Sequence, residues 1–180
     1  MPEVAIRPAL SADLSILMGI KTNYQTARVW QMDRNFDEGQ FAVHFREIRL
    51  PRPVQVDYPR GQSQIFGDHW MEDQVYLVAV LDNVLSGYTR ISEKMAPRTV
   101  WLKDLVVTEN HRQKGIGTAL IMAAQDWGVE RGCRRMTIEM QSKNFPAILL
   151  MRKLGYELSG YSDQYYLNQD IALFFTRWLR

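Results

Sequence analysis

The stretch Leu105-Val106-Val107-Thr108-Glu109-Asn110-His111-Arg112-Gln113-Lys114-Gly115-Ile116-Gly117-Thr118 gathers more potential chemistry than any other part of the chain. An apolar run able to form a strand leads into a turn with two glycines and then into a helical pattern. Such a turn leaves backbone N–H groups free at the positive end of a helix, which suits an anion. Arg112, Gln113 and Lys114 add side-chain donors beside it. The residues that are missing narrow the choice of anion. A triphosphate-binding loop needs Gly-x-x-x-x-Gly-Lys-Ser/Thr, whereas Gly117 is followed by Thr118 and Ala119, so no lysine is set on a terminal phosphate. A dinucleotide fingerprint wants a third small residue where Leu120 stands, and the preceding elements do not make a βαβ opening. Triphosphatases and NAD or FAD enzymes are disfavoured.

Other reactive side chains are scattered. Cys133 follows Gly132 at a helix end with no His or Asp nearby in sequence, which reads as a packed thiol rather than a nucleophile. A single cysteine makes no internal disulfide, and His44, His69 and His111 lie far apart without ligand spacing, so no metal is expected. His111 reads as a surface residue. The aromatic residues Tyr24, Trp30, Phe66 and Trp70 could line a pocket, but their irregular spacing suits core packing better.

The elements that must position the glycine turn are legible from Val75 onward. Val75 to Leu81, the longest apolar run, reads as a strand, Asp82 and Asn83 make a tight turn, and Val84 to Ile91 pairs back, with Gly87 marking a bulge. Val100 to Val107 is a third strand. Leu120, Ile121, Ala124 and Trp127 form the core stripe of a helix from about Gly117 to Arg131, stopped by Gly132. A strand from Arg135 to Met140 and a helix from Pro146 to Leu154 follow, then Tyr156 to Ser159 and a last strand from Tyr165 to Trp178, broken near Asn168. Ahead of these, Val4 to Arg7 reads as a short strand, and Ser11 as the cap of a helix carrying Leu14, Ile16, Leu17 and Ile20. Asn23 to Asp73 is irregular, interrupted by Pro51, Pro53, Pro59, Gly61 and Gly67, with Phe41 to Leu50 as an edge strand. Hairpins followed by strand-helix-strand-helix-strand give an α+β domain with a mixed sheet.

At 180 residues, 46% hydrophobic and 23% charged, the chain suits one globular domain, residues 1–180, without a disorder signature. No apolar run approaches the roughly 20 residues that cross a bilayer, and Met1, Pro2 and Glu3 lead into no leader pattern, so a cytoplasmic location without membrane partners is expected. The net charge of +2 is too mild to argue for nucleic acid. Arg46, Arg49, Arg52 and Arg60 are the densest basic set, but Glu47 and Asp57 among them suggest a solvated face.

Arg112, Gly115 and Gly117 after a strand resemble the Arg/Gln-x-x-Gly-x-Gly/Ala signature of the GNAT acetyltransferase superfamily. A second block at proper distance, Asn144 and then Ala147 through Tyr156, is similar to the family's Asn-x-x-Ala-Ile-x-x-Tyr-x-x-x-Gly-Phe. The resemblance covers about Val75 to Arg180. The ending Asp170-Ile171-Ala172-Leu173-Phe174-Phe175 is most similar to the streptothricin-type small-molecule branch. It implies a mostly antiparallel twisted sheet, splayed at an acetyl-CoA site and flanked by helices, with residues 74–180 binding acetyl-CoA and 1–73 forming the acceptor side. Backbone amides from Gln113 through Lys114, Gly115, Ile116 and Gly117 to Thr118 would hold the pyrophosphate, beside Arg112 and Arg152. Leu105, Val106 and Val107 would bond the pantetheine arm, and Asn144 would contact it near the sulfur.

An acceptor amine with a pKa near 10.4 must lose a proton. The resemblance points to Glu139 as the base, with Asp104 in reserve; Thr137, Glu139 and Gln141 share one strand face. The alternative for Glu139 is a solvated or ion-paired strand carboxylate. The family's tyrosine acid aligns with Met151, a thioether that donates no proton. Tyr161, Tyr165, Tyr166 and Ser142 are candidate substitutes, with ordinary burial the simpler reading of each tyrosine. The implied activity is N-acetylation of a small cationic amine, with Asp33, Asp37, Glu38, Asp68, Glu72 and Asp73 as its carboxylates. Alternatives are acetylation of a protein N-terminus or lysine, and a catalytically silent acyl-CoA-binding domain; a homodimer is left open.

Overall fold

The structure, a computed structural model, describes residues 3–72 and 74–180. Strand β1 (Val4–Pro8) leads through a 3-10 turn into helix α1 (Leu14–Gly19). Ser11 does not cap it. The Asp13 carboxylate accepts the Leu10 N–H at 2.8 Å and pairs with Arg7 at 2.7 Å, fixing the turn from its far side.

The segment expected to be irregular is instead a long hairpin, β2 (Tyr24–Asp37) and β3 (Gln40–Val56), forming a two-stranded sheet of its own. Glu38 and Gly39 close it with φ of +43° and +83°, the pair of left-handed residues that matches strand twist in a two-residue turn. Pro51 and Pro53 fall where the register jumps from Arg28↔Arg49 to Thr26↔Val54, so their missing N–H groups interrupt a ladder that is already broken. A short helix α2 (Gln62–Ile65) follows the hairpin.

The remaining elements are β4 (Val75–Leu81), β5 (Val84–Ser92), β6 (Thr99–Val107), α3 (Ile116–Glu130), β7 (Arg135–Gln141), α4 (Phe145–Lys153), β8 (Glu157–Ser162) and β9 (Ala172–Trp178). Their bounds agree closely with the sequence pattern except at the end. Tyr165 to Asn168 is a turn, because Asp170 and Asn168 bond each other through side chain and backbone, at 3.0 and 3.1 Å, and the Asp170 carbonyl takes the Tyr165 N–H.

Strands β1-β4-β5-β6-β7-β9-β8 make a seven-stranded sheet, antiparallel throughout except between β6 and β7. That parallel pairing runs from Thr99↔Arg135 to Leu102↔Ile138 and stops. One residue on, Lys103 is the extra residue of a bulge against β5, between Ile91↔Leu102 and Arg90↔Asp104. A bulge bends its strand, and here the bend coincides with the loss of pairing, so β6 and β7 diverge. It also exchanges faces. Val100 and Leu102 pack with α3 and α4 in the larger core, whereas Val106 joins Leu17, Ile65, Phe66 and Tyr88 in the smaller core under α1 and α2.

Gly87 lies beside a bulge in β5, where Ser86 is extra between Ala79↔Gly87 and Val80↔Leu85. A Cβ there would stand 2.6 Å from the Val106 carbonyl oxygen, a backbone atom that cannot step aside cheaply. Gly87→Ala is expected to destabilise the fold by about 1–3 kcal/mol, lowering the melting temperature by several degrees in a calorimetric scan. An unchanged melt would show that β5 and β6 are not packed this closely.

Candidate active site

Beyond Leu102 the inner edge of β6 has no strand beside it, and a cleft of about 850 Å³ opens there. Leu105, Val106 and Val107 form one wall, and Asn144, Ala147 and Leu150 face them from the start of α4 and along it. At the outer end lies the glycine turn. Gln113 and Gly115 both take left-handed φ, +61° and +85°, which turns successive backbone N–H groups toward one side. Ala119 bonds back to the Gly115 carbonyl at 3.0 Å, so the amides of Ile116, Gly117 and Thr118 precede the helical ladder and are free for a ligand.

The side chains around this cradle differ from expectation. Arg112 donates through Nε to the Val107 carbonyl (3.1 Å) and through Nη2 to the Asn23 carbonyl (2.8 Å), so two of its donors strap the turn to β6 and to the start of β2. Lys114 is exposed and does not line the cleft; Lys21, His111 and Lys153 do. Arg152 also stands outside it. One residue along a helix is a rotation of about 100°, which carries Lys153 inward and Arg152 away. Tyr24, Gln25, Gln55 and Tyr58 complete the wall contributed by the first third of the chain.

At the inner end the diverging strands are bridged by charge. Arg60 donates to the Lys103 carbonyl at 3.0 Å, to Asp104 at 3.2 Å and to Glu139, and its guanidinium lies 5.1 Å from the centre of the Tyr166 ring. Asp104, fully buried, also accepts from Tyr58 at 2.8 Å and pairs with Arg90. Glu139 accepts from Trp101 Nε1 at 3.0 Å and from the Tyr165 hydroxyl at 3.2 Å. Two guanidinium groups and two carboxylates thus meet in a largely buried space, with the half-buried Lys103 ammonium near all four. Burial works against the Arg60 charge, but Asp104 and Glu139 outweigh it and hold its pKa above the ordinary value. Burial raises Tyr58, reinforced by Asp104, and raises Tyr166, reinforced by Glu139, so both keep their protons.

A parallel strand pair that opens beside a glycine cradle at a helix start is the arrangement the sequence motifs suggested. Residues 42–156 match the acetyltransferase (GNAT) family. The chain belongs to that family. This GNAT acetyltransferase is 26% identical over 165 residues to streptothricin acetyltransferase of Streptomyces lavendulae, covering 89% of this chain and 85% of that one. Its fold superposes on the crystal structure of nourseothricin acetyltransferase with a TM-score of 0.81 at 23% identity, covering 98% and 99% of the two chains. A Bacillus anthracis structure solved with acetyl coenzyme A gives 0.76 at 17% identity, covering 98% and 99%.

Within the family frame, Leu105 to Val107, Gln113, Gly115 to Thr118 and Asn144 line one continuous cleft, a fit for a long acyl carrier. Asn144 also caps α4, accepting the Ala147 N–H at 3.2 Å. Met151 is buried at the inner end, and of the hydroxyls considered in its place Tyr166 stands beside it. Tyr165 is spent on Glu139, Tyr161 packs edge-on against Phe45, and Ser142 bonds through its backbone to Trp30 and Ile171. Phe66 and Trp70 pack with Tyr76, and Trp30 packs on Phe45 and Phe175; only Tyr24 of that aromatic set reaches the cleft. The proposed acceptor carboxylates are not brought together. Asp33 is paired with Arg46, Asp37, Glu38, Asp68 and Glu72 are exposed and line no part of the cleft, and Asp73 lies outside the described residues. Sequence reasoning missed Tyr58 and Arg60. Arg60 is not on a solvated face as the other three arginines are, and only its place in Tyr58-Pro59-Arg60-Gly61, a turn signal, sets it apart.

Arg60→Met is expected to destabilise the protein by about 3–5 kcal/mol, because two buried carboxylates lose a shared cation, and Arg60→Lys is expected to recover little, lacking the fork that reaches both. Urea midpoints check this; a loss under 1 kcal/mol in the methionine variant would show that the bridge contributes little.

Proposed function

We propose that this acetyltransferase moves the acetyl group of acetyl-CoA to the primary amine of a small cationic molecule. The observation that carries the reading is the continuity of the cleft, from backbone donors at its outer end, along the open edge of β6, to the splay beside Glu139. The likeness to the Streptomyces lavendulae streptothricin acetyltransferase over most of both chains supports an antibiotic-like amine as acceptor. Acetyl-CoA, when bound, supplies an acyl group already activated as a thioester.

The chain's own task is then to bind the carrier, admit the amine and take its proton. Glu139 is assigned that last role. Arg60, Trp101 and Tyr165 donate to Glu139, and the Tyr166 hydroxyl, which also faces it, is the neutral donor that an amine or a bridging water would displace. The same donors orient it, and geometry is the first requirement for a base.

A thiol-release screen with acetyl-CoA against streptothricin, aminoglycosides, polyamines, amino acids and peptide N-termini tests the acceptor class. Turnover on one or more of the small cationic amines is expected; turnover confined to peptides would move the assignment to a protein acceptor. Glu139→Gln is expected to lower kcat about 100-fold near pH 7 and to approach wild type as the pH nears that of the free amine's deprotonation, about 10. A constant ratio to wild type across that range, with a lowered melting temperature, would reduce Glu139 to a partner of Arg60.

A further inference from the structure

At the inner end of the cleft, between the diverging strands, lies a second cavity of about 40 Å³. Tyr58, Leu105, Asn144 and Ala147 line both spaces, so the cavity continues the cleft. One side of it is apolar, from Leu105, Ile138, Met140 and Met151, and the other carries Glu139, Gln141 and Tyr166. Met151 closes the apolar side. It is fully buried, and its helix is held at both ends: Asn144 caps the start, and the Met151 carbonyl accepts the Tyr156 N–H at 2.9 Å. Helix α4 therefore fixes the root of this side chain at the cavity wall.

One water needs about 10–15 Å³ of such space, so the cavity suits a group of very few heavy atoms and not an extended chain. Its two-sided lining matches a small acyl end, with a methyl toward Met151 and the polar atom toward Tyr166. We propose that Met151 is the length gauge for the acyl group, closing the cavity behind two carbons. The inference rests on the acetyl-CoA reading above. An unbranched thioether fills an irregular gap well, and it occupies the position at which the family pattern carries an aromatic acid. The residue that departs from the pattern thus acts on specificity.

The test is binding, so it does not depend on the acceptor. Calorimetric titration of CoA, acetyl-CoA, propionyl-CoA and butyryl-CoA is made on the wild type and on Met151→Ala, Met151→Val and Met151→Leu. The wild type is expected to bind propionyl-CoA about 10-fold or more weakly than acetyl-CoA, and butyryl-CoA more weakly still, the scale of one methylene in a closed apolar pocket. Alanine and valine should bring propionyl-CoA level with acetyl-CoA or past it, while leucine, which conserves volume, should keep the wild-type order. Alanine removes core packing, so valine is the variant relied on if alanine does not fold, and unchanged affinity for free CoA marks a folded cleft. The proposal is overturned if the wild type binds all three acyl-CoA molecules equally, or if the valine variant binds CoA normally and keeps the wild-type order. A wild type that binds no acetyl-CoA would overturn the acetyl-CoA reading itself and this inference with it.

Discussion

Arg60 takes the place of the rung that β6 and β7 do not make. Their ladder ends at Leu102↔Ile138, and the next polar groups on either strand, the Lys103 carbonyl, Asp104 and Glu139, all receive a donor from this one guanidinium. A buried carbonyl and two buried carboxylates left without partners would each be costly, and a continued ladder would close the cleft. A planar fork with several donors is the side chain that can hold two strands together and apart at once. Arg90 pairs with Asp104 from β5, so each carboxylate of the bridge has a guanidinium partner.

The rest of the site follows from that opening. The bulge at Lys103 sends Asp104 toward the bridge and keeps Leu105 on the cleft wall. The hairpin is fastened to the same place by its base: Trp30 donates to the Ser142 carbonyl, Tyr24 to Gln141, and Gln141 in turn to the Asp57 carbonyl. Arg112 ties the glycine turn to Asn23 on the other side. The part of the chain from Lys21 to Arg60 is therefore coupled to both walls of the cleft, although it contributes no strand to the main sheet.

What could be read in advance depended on whether local chemistry or distant packing decides the structure. Gly115 and Gly117 between a strand and a helical stripe declare their geometry within a dozen residues, and the strands from Val75 to Met140 stand out as short apolar runs because most are buried on both faces of one sheet. The hairpin was illegible because much of it faces water, so its residues need not alternate, and its prolines sit in a register slip that sequence alone does not reveal. Arg60 looked like one more charge in a basic stretch; its burial is fixed by Asp104 and Glu139, far along the chain. Lys153 rather than Arg152 lines the cleft for the similar reason that neighbours on a helix differ only in direction, and the direction of α4 is set by its packing under the sheet.

The methionine at 151 also bears on how the thiol leaves. Tyr58 and Tyr166 are the phenols that line the inner cavity, and burial, reinforced by a nearby carboxylate, makes the anion of each unfavourable. Such hydroxyls are good hydrogen-bond donors and reluctant proton donors. A thiolate is a stable leaving group, since a thiol of the cysteine kind has a pKa near 8.5. A cationic amine gives up two protons on becoming an amide: we assign the first, lost before attack, to Glu139, and the second can pass to the departing thiolate, so the inventory closes without an acid at 151, and the tyrosines steady charge without exchanging it. A site built this way frees the position after Leu150 from proton transfer, and that is the condition under which a buried side chain there can be selected for shape alone.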